Sequence, residues 1–518
     1  MFSYFKKIRF SHIFWLFFYS LVFVILLKNS LSRLDPDLGW HLRVGQDIAR
    51  THQVASANPY NYSYTGNWVD HEWLANLLIF ETYSHLGYPA LAVISCLPFL
   101  LVLIILNILA GRKISSNTVR IISIAGLQLF GLLAALRYFG VRIQELAPLF
   151  LLIELIIISR YQRRKNPYLL IWLIPFFFVW ANLHGSFLLG LVILFAWPTV
   201  KLIEKTFYRF SNPSRPETVD ILSNKHLLVF FGFASLAFMV TLLTPYRLEL
   251  YSFLFDYRNT IYLSLIEEWR SQFARPFNFL ELAYIFTMAG TLAASLFSAI
   301  FKKSGKINIW NSFLVLLFLY LSLKSRRHLP LLLVVSFESA IIVIAAFFSA
   351  VFVRFAARLK SEAAILVLKL SLGAYLIVLI FSQAYNVRLI FDPFSFFSLD
   401  YPYDAVNYLK SNPWYSAGNI LNSYEWGGYL IWNYPGKQIF IDGRFPQVEF
   451  AGHTLLEEYR NFFGSEKIIA EALARYDIGL VLVANKPENR QLSQYLAASG
   501  DWQLIYGDPV SLGYYRRP

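Results

Sequence analysis

Apolar residues in this chain come in long blocks rather than at the spacing of half-buried helices or strands. A membrane-spanning helix needs about 20 mostly apolar residues. Eleven stretches are candidates, near 11–29, 88–110, 121–138, 145–160, 168–183, 184–202, 226–244, 280–300, 308–323, 328–353 and 364–383. The pair meeting at 183/184 is nearly continuous. Lys6, Lys7 and Arg9 precede the first stretch, but no small-residue cleavage pattern follows it, so it reads as an uncleaved span. Beyond residue 383 the pattern shortens. It predicts a helix over Pro402–Lys410, strands around Gly418–Asn422, Gln438–Asp442 and Gly479–Val483, helices near 453–462 and 466–475, and closing strands Gln503–Tyr506 and Gly513–Arg516. The expected fold is a polytopic α-helical membrane protein of about eleven spans over residues 1–383, with a C-terminal α/β domain over 384–518.

Composition agrees with the pattern. The 518 residues are 57% hydrophobic and 15% charged, against roughly 45–50% and about 25% in soluble proteins. The net charge of +14 would suit a nucleic-acid partner, but it is confined to the hydrophobic part. Residues 384–518 carry 11 basic and 14 acidic groups, a net of −3, which leaves +17 for the rest. The positive groups fall in alternate loops: Lys6/Lys7/Arg9, Arg112/Lys113/Arg120, Arg160/Arg163/Arg164/Lys165, Lys201/Lys205/Arg209/Arg215/Lys225, Lys302/Lys303/Lys306 and Arg354/Arg358/Lys360. The positive-inside rule makes those loops cytoplasmic. The N-terminus is then cytoplasmic, and the loop 34–87 and the C-terminal domain are extracytoplasmic, as expected of a multi-pass protein of the bacterial cytoplasmic membrane. No nucleic acid is needed to explain the charge. The single cysteine, Cys96, sits in an apolar run where core packing is its expected role.

Candidate chemistry collects at the extracytoplasmic ends. The loop 34–87 opens Leu34-Asp35-Pro36-Asp37-Leu38-Gly39-Trp40-His41 and continues to Trp68-Val69-Asp70-His71-Glu72-Trp73. Asp35 before Pro36 is an ordinary helix cap, and Asp70 could cap a helix over 71–86 that Gly87 would stop. The same groups, Asp35 and Asp37 followed by His41, can also serve as a base or hold a cation. An aspartate with an imidazole is too loose a signature to name a metal, so the cofactor is unknown and a divalent cation is possible.

Positive charge is disfavoured in extracytoplasmic turns, yet Lys324, Arg326, Arg327 and His328 crowd one such turn, and Arg142 lies near another. Guanidinium groups there fit a phosphate. Snorkelling, or pairing with Glu267 and Glu268, is the simpler reading. Asn182 and His184 of Trp180-Ala-Asn-Leu-His-Gly185 mark a break between spans, where polar groups usually face a cavity. Glu154 and Glu338 lie inside apolar runs and either face a cavity or bond a neighbouring helix. In the C-terminal part, Tyr424, Glu425 and Trp426 precede Gly427-Gly428, and Asp442 and Arg444 flank Gly443. These residues are candidates for the acceptor side, by ring stacking and close backbone approach. Asp442-Gly443 is also a plain turn signal.

This layout resembles the GT-C superfamily of membrane glycosyltransferases. The residues that carry the resemblance are Asp35-Pro-Asp37 outside the first span and Arg326-Arg327 near the last spans. The resemblance implies an acidic catalytic residue at the first and the phosphate of a polyprenyl-linked sugar donor at the second. The run 424–432 is similar to the Trp-Trp-Asp-Tyr-Gly motif of oligosaccharyltransferase catalytic subunits. Glu425-Trp426-Gly427-Gly428 departs from it, so peptide recognition is not carried over. Asp-Pro-Asp…Trp-His-Leu, Val-Asp-His-Glu-Trp, Trp-Ala-Asn-Leu-His-Gly and Ile-Asp-Gly-Arg also resemble uncharacterised bacterial multi-span proteins grouped near these enzymes, over nearly the whole chain.

The expected function is an inverting transfer of sugar from a polyprenyl-phosphate donor to an acceptor on the outer membrane face. Asp35 or Asp37 would be the base, Arg326, Arg327 and Arg142 would meet the phosphate, and His41, Asp70, His71 and Glu72 would line the pocket. The alternative is a non-catalytic transporter, flippase or assembly protein for lipid-linked glycans. A transporter would be expected to show internal repeats, and none is visible.

Overall fold

The computed structural model describes residues 10–211, 222–256, 266–301, 308–356, 362–385, 387–445, 448–450 and 453–518. Of the basic groups expected in cytoplasmic loops, Lys6, Lys7, Arg9, Arg215, Lys302, Lys303, Lys306, Arg358 and Lys360 lie outside these residues.

Among the described residues, seven helices are long and apolar enough to cross a membrane: Phe10–Ser30, Trp73–Gly111, Asn117–Tyr138, Phe187–Thr206, Asn224–Thr241, Phe279–Phe301 and Arg326–Val351. Pro167–Leu183, Ile309–Lys324 and Gly373–Tyr385 are shorter apolar helices. The helix Ala147–Arg164, expected as a span, has a basic last turn with Arg163 and Arg164. The count of eleven is therefore not confirmed. The expected stop at Gly87 is present. Its φ of 76° is left-handed and ends the amphiphilic part of Trp73–Gly111, and Pro89 stands at the start of the apolar part. The near-continuous stretches around residue 183 are two helices, Leu173–Leu183 and Phe187–Ser211, parted by His184 in extended backbone.

The C-terminal part holds strands β1 (Asn419–Asn422), β2 (Glu449–Phe450), β3 (His453–Thr454), β4 (Ile478–Ala484), β5 (Trp502–Gly507) and β6 (Ser511–Arg516). The main sheet runs β1-β4-β6-β5, with β1 and β4 parallel and the other pairs antiparallel. β4 is buried along its whole length, as a central strand's continuous apolar run requires. The helices Tyr403–Ser411, Leu455–Asn461 and Glu466–Arg475 form close to where they were expected.

One expected strand is corrected. Residues 438–442 make only isolated bridges, from Ile439 to Asn61 and to Ile420. The amides of Phe440 and Ile441 donate instead to the Asn422 side chain at 2.9 and 3.4 Å, and Asn422 Nδ2 donates back to the Ile441 carbonyl at 2.8 Å. A side-chain amide thus takes the partners that a neighbouring strand would supply.

Two apolar cores result. One lies among the spanning helices, around Phe99, Phe177, Trp197, Phe230 and Phe318. Cys96 is buried within it. The other joins Leu38, Trp40, Trp68 and Tyr88 to Tyr429, Ile439, Phe440 and Leu480. The C-terminal sheet and the 34–87 loop therefore share one core.

Candidate active site

Asp37 precedes the helix Leu38–Thr51, and Asp35 folds back so that its Oδ1 accepts the Asp37 amide at 2.9 Å. This turn is pressed against the C-terminal part at close range. A Cβ on Gly39 would collide with the Gly428 carbonyl, one on Gly428 with the Pro36 carbonyl, and one on Gly443 with Asp37 Oδ1. Only glycine permits these approaches. Asp37 lies more than 390 residues before Gly428 and Gly443 in the chain, and they meet here.

Ile-Asp442-Gly-Arg444 acts as a clamp. Arg444 pairs with Asp442 through Nε (2.9 Å) and a terminal nitrogen (2.7 Å), and reaches Asn61 Oδ1 at 2.8 Å. Its guanidinium stacks near Trp68, Tyr60 and Phe445, at 4.6 to 4.9 Å from the ring centres. Trp40 Nε1 donates to Asp37 Oδ1 at 2.8 Å.

A cavity of about 390 Å³ opens beside this turn. Asp35, Asp37, His41, Asp70, His71, Glu72, Arg142, His184, Arg327, His328 and Arg444 all line it. So do Gln144, Glu145, Glu268 and Trp269, while Leu188, Leu189, Leu254 and Leu331 make an apolar wall.

The two aspartates are not equivalent. Asp35 is buried, and its Oδ2 pairs with Arg142 Nε. Arg142 also meets Glu268 Oε2 at 2.6 Å, so one guanidinium bridges two carboxylates. Burial opposes the charge on Arg142, but Asp35 and Glu268 hold its pKa well above the usual arginine value. Burial pushes Glu268 up, yet Arg142 and Arg327 outweigh it and hold the group below the usual carboxylate range. Among the described residues Asp37 makes no such ion pair. Burial and then the Asp35 charge push its pKa up to about 7.

A second cluster centres on Glu72. Asn76 Nδ2 donates to both Asp70 oxygens at 2.9 Å, which leaves Asn76 Oδ1 to accept from His41 Nδ1 at 2.5 Å. The unprotonated His41 Nε2 then faces Glu72 Oε2 at 4.0 Å. His184 is the opposite tautomer. Its Nδ1 accepts the Ser186 amide at 3.0 Å, so Nε2 carries the proton toward Glu72 Oε1 at 3.3 Å. Burial, with Asp70 next, raises Glu72 to about 8, and burial raises Asp70 to about 6. Burial lowers His41 to about 4 and His71 to about 3. At neutral pH the histidines and Glu72 are therefore neutral.

Arg142 stands between the carboxylates Asp35 and Glu268, and the His184 nitrogen nearest Glu72 bears a proton. Among the described residues no group of three His, Cys, Asp or Glu side chains is arranged to hold a metal ion.

Several candidate residues lie away from the cavity. Arg326 is fully buried and donates to the carbonyls of Ala274 (2.7 Å) and Pro276 (2.9 Å), with Glu267 at 3.6 Å. The simpler reading of the cation-rich turn thus holds for Arg142 and Arg326, which pair with Glu268 and Glu267. Arg327 alone of the three has no carboxylate partner among the described residues. Its terminal nitrogen donates to Gln144 Oε1 at 3.0 Å, and the guanidinium lies 4.0 Å over the Trp269 ring. Asn182 accepts Trp73 Nε1 at 2.9 Å, tying two helices together. Trp426 donates to the Asp400 carbonyl, Tyr424 sits in the same short helical turn, and Glu425 pairs on the surface with Lys486 at 3.5 Å. Asp442 meets Arg444 rather than the cavity. Glu154 is buried within its helix, and Glu338 pairs with Lys113.

Sequence reading missed Asn76, Gln144, Glu145, Glu268 and Trp269 as site residues. Glu268 was read from the sequence only as a pairing partner for the cationic turn.

The fold combines helical spans, a long first loop and a C-terminal sheet packed upon it. Solved structures of the oligosaccharyltransferase from the archaeon Archaeoglobus fulgidus share it across nearly the whole chain. The structure of that enzyme, AglB, with an inhibitory peptide and a dolichol-phosphate superposes with a TM-score of 0.52 at 12% identity, covering 96% of this chain and 74% of that one. Its apo form gives 0.54 at 12%, covering 99% and 75%. The form tethered to an acceptor peptide containing the NVT sequon gives 0.54 at 13%, covering 100% and 75%. No family model matches the sequence, and no curated protein does.

Proposed function

We propose that this chain is an inverting membrane glycosyltransferase that moves a sugar from a polyprenyl-phosphate donor to an acceptor hydroxyl at the extracytoplasmic face. One observation carries the reading. A single cavity presents Asp37, a carboxylate poised near neutrality, together with Arg327, a guanidinium without a carboxylate partner among the described residues, beside an apolar wall. The AglB structure with a dolichol-phosphate agrees with a lipid-linked donor.

In this mechanism the ionised Asp37 accepts the acceptor's hydroxyl proton while that oxygen attacks the anomeric carbon. The bond from that carbon to the donor phosphate breaks, and the electron pair leaves with the polyprenyl phosphate. Arg327 stabilises the charge that grows on the leaving phosphate, and Trp269 holds the guanidinium plane. Leu188, Leu189, Leu254 and Leu331 would flank the polyprenyl chain. Asp35 is a positioning residue, because its oxygens are committed to Arg142 and to the Asp37 amide.

Product analysis tests the reaction class. Transfer from an anomerically defined donor should give the opposite configuration, read by nuclear magnetic resonance. Full activity in both Asp35→Asn and Asp37→Asn would end the proposal.

A further inference from the structure

The ends of two helices far from the candidate active site form a second cavity of about 800 Å³. On the helix Trp73–Gly111 and the turn after it, Ile105, Ile108, Leu109 and Arg112 line it. Their spacing of three, four and seven residues puts them on one face, apolar for two turns and cationic at the end. On Ala147–Arg164, Ile156 is followed on the same face by Arg160, Arg163 and Arg164. The two helices pack against each other, so two stripes of the same polarity run side by side.

The helix Ala147–Arg164 begins at the first cavity, which Ala147 and Pro148 line, and ends at this one. At 1.5 Å per residue the two cavities stand roughly 20–25 Å apart along it. That separation approaches the thickness of a bilayer's hydrocarbon core, about 30 Å. The second cavity therefore lies at the opposite headgroup level, where the basic loops were expected to be cytoplasmic.

Its charge is one-sided. Lys113 also lines it and pairs with Glu338, and Arg163 Nε donates to the Ser159 carbonyl at 3.3 Å. Among the described residues Arg112, Arg160 and Arg164 meet no carboxylate. An aliphatic cleft that ends in three such guanidinium groups matches the polarity of a phospholipid, with its apolar tail and its anionic head.

We infer that this groove seats one anionic glycerophospholipid. Its phosphate lies among Arg112, Arg160 and Arg164, and an acyl chain runs along Ile105, Ile108, Leu109 and Ile156. Arginine suits the headgroup because the guanidinium forms paired hydrogen bonds to phosphate oxygens. The site is separate from the proposed transfer chemistry and does not depend on it.

Native mass spectrometry of the full chain, released from nanodiscs holding equal phosphatidylglycerol and phosphatidylethanolamine, tests the inference. The wild type should retain phosphatidylglycerol at least about fivefold over the zwitterionic lipid. The triple variant Arg112→Gln/Arg160→Gln/Arg164→Gln should bring the ratio to within about twofold of unity. Ile156→Trp keeps every arginine but fills the cleft, and should lose most of the preference as well. Circular dichroism melts confirm that each variant is folded. No preference in the wild type would overturn the inference, as would an unchanged preference in the triple variant. Full preference in Ile156→Trp would overturn the groove by showing that surface charge alone is at work. Loss of the bound lipid to added inorganic phosphate would mean a soluble-anion site instead.

Discussion

Asp35 and Asp37 are two residues apart and chemically identical, yet the fold gives them different surroundings. The difference comes from Arg142, more than 100 positions later, which pairs with Asp35, whereas burial and then the Asp35 charge raise the pKa of Asp37. No local signal in the sequence could separate them. Asp37 must be ionised to accept a proton, so transfer should rise with pH through an apparent pKa near 7. Asp37→Asn should lower turnover by about 100-fold or more and abolish that limb. A pH profile unchanged in the variant would assign the base elsewhere.

The Glu72 cluster gives a stability signature at the same scale. Glu72 has a folded pKa of about 8, above its ordinary value. Its protonated form is favoured by folding, so its contribution is complete below about pH 4.5 and is lost as pH rises through about 8. His41 and His71 are depressed to about 4 and 3, so their contributions are lost only as pH falls from 6.5 toward those values. Thermal melts should therefore show Tm falling between pH 6.5 and 9, and the fall should flatten in Glu72→Gln. Arg142 carries a third expectation. Because a guanidinium already bridges Asp35 and Glu268, a chelator should change transfer by less than about twofold, and a tenfold loss would show that a divalent cation works here.

At the scale of elements, the apolar blocks, the stop at Gly87, and strands β1, β4, β5 and β6 were legible from periodicity and turn residues. The segment 438–442 was not, because its alternation fits a strand while its partner is the Asn422 side chain. Gly427 and Gly428 were legible as close-approach positions, but not what they approach, and Gly443 read only as part of a turn. Gly443 lets Asp37 Oδ1 lie against its backbone, where a methyl group would collide. Gly443→Ala must displace that carboxylate. It should cut turnover at least about tenfold with a smaller change in donor affinity, since a misplacement of about 1 Å is that costly. Equal activity, measured alongside a melt, would mean the turn has slack. The cation-rich turn shows the limit of reading by element. Arg326 and Arg327 are neighbours, but one is buried against the carbonyls of Ala274 and Pro276 and the other faces the cavity.

At the scale of the whole molecule, composition and charge alternation were enough for a membrane protein with a polar end. They did not show that the 34–87 loop and the C-terminal sheet share one core. That assembly rests on long-range pairs such as Tyr62 to the Ile420 carbonyl (2.9 Å), Tyr401 to the Leu34 carbonyl (3.2 Å) and Arg444 to Asn61. It brings the Asp37 turn, the Glu72 cluster and Arg327 around one cavity with an apolar wall. The division of labour within that cavity is the central claim. Its most direct measurement is the loss of sugar from a panel of labelled polyprenyl-phosphate sugars by purified protein in liposomes, with donor binding followed in parallel. On that division the wild type should consume one donor, Asp37→Asn should bind it without consuming it, and Arg327→Gln should lose binding. Consumption that survives in both variants, or donor bound with full affinity by Arg327→Gln, would contradict it.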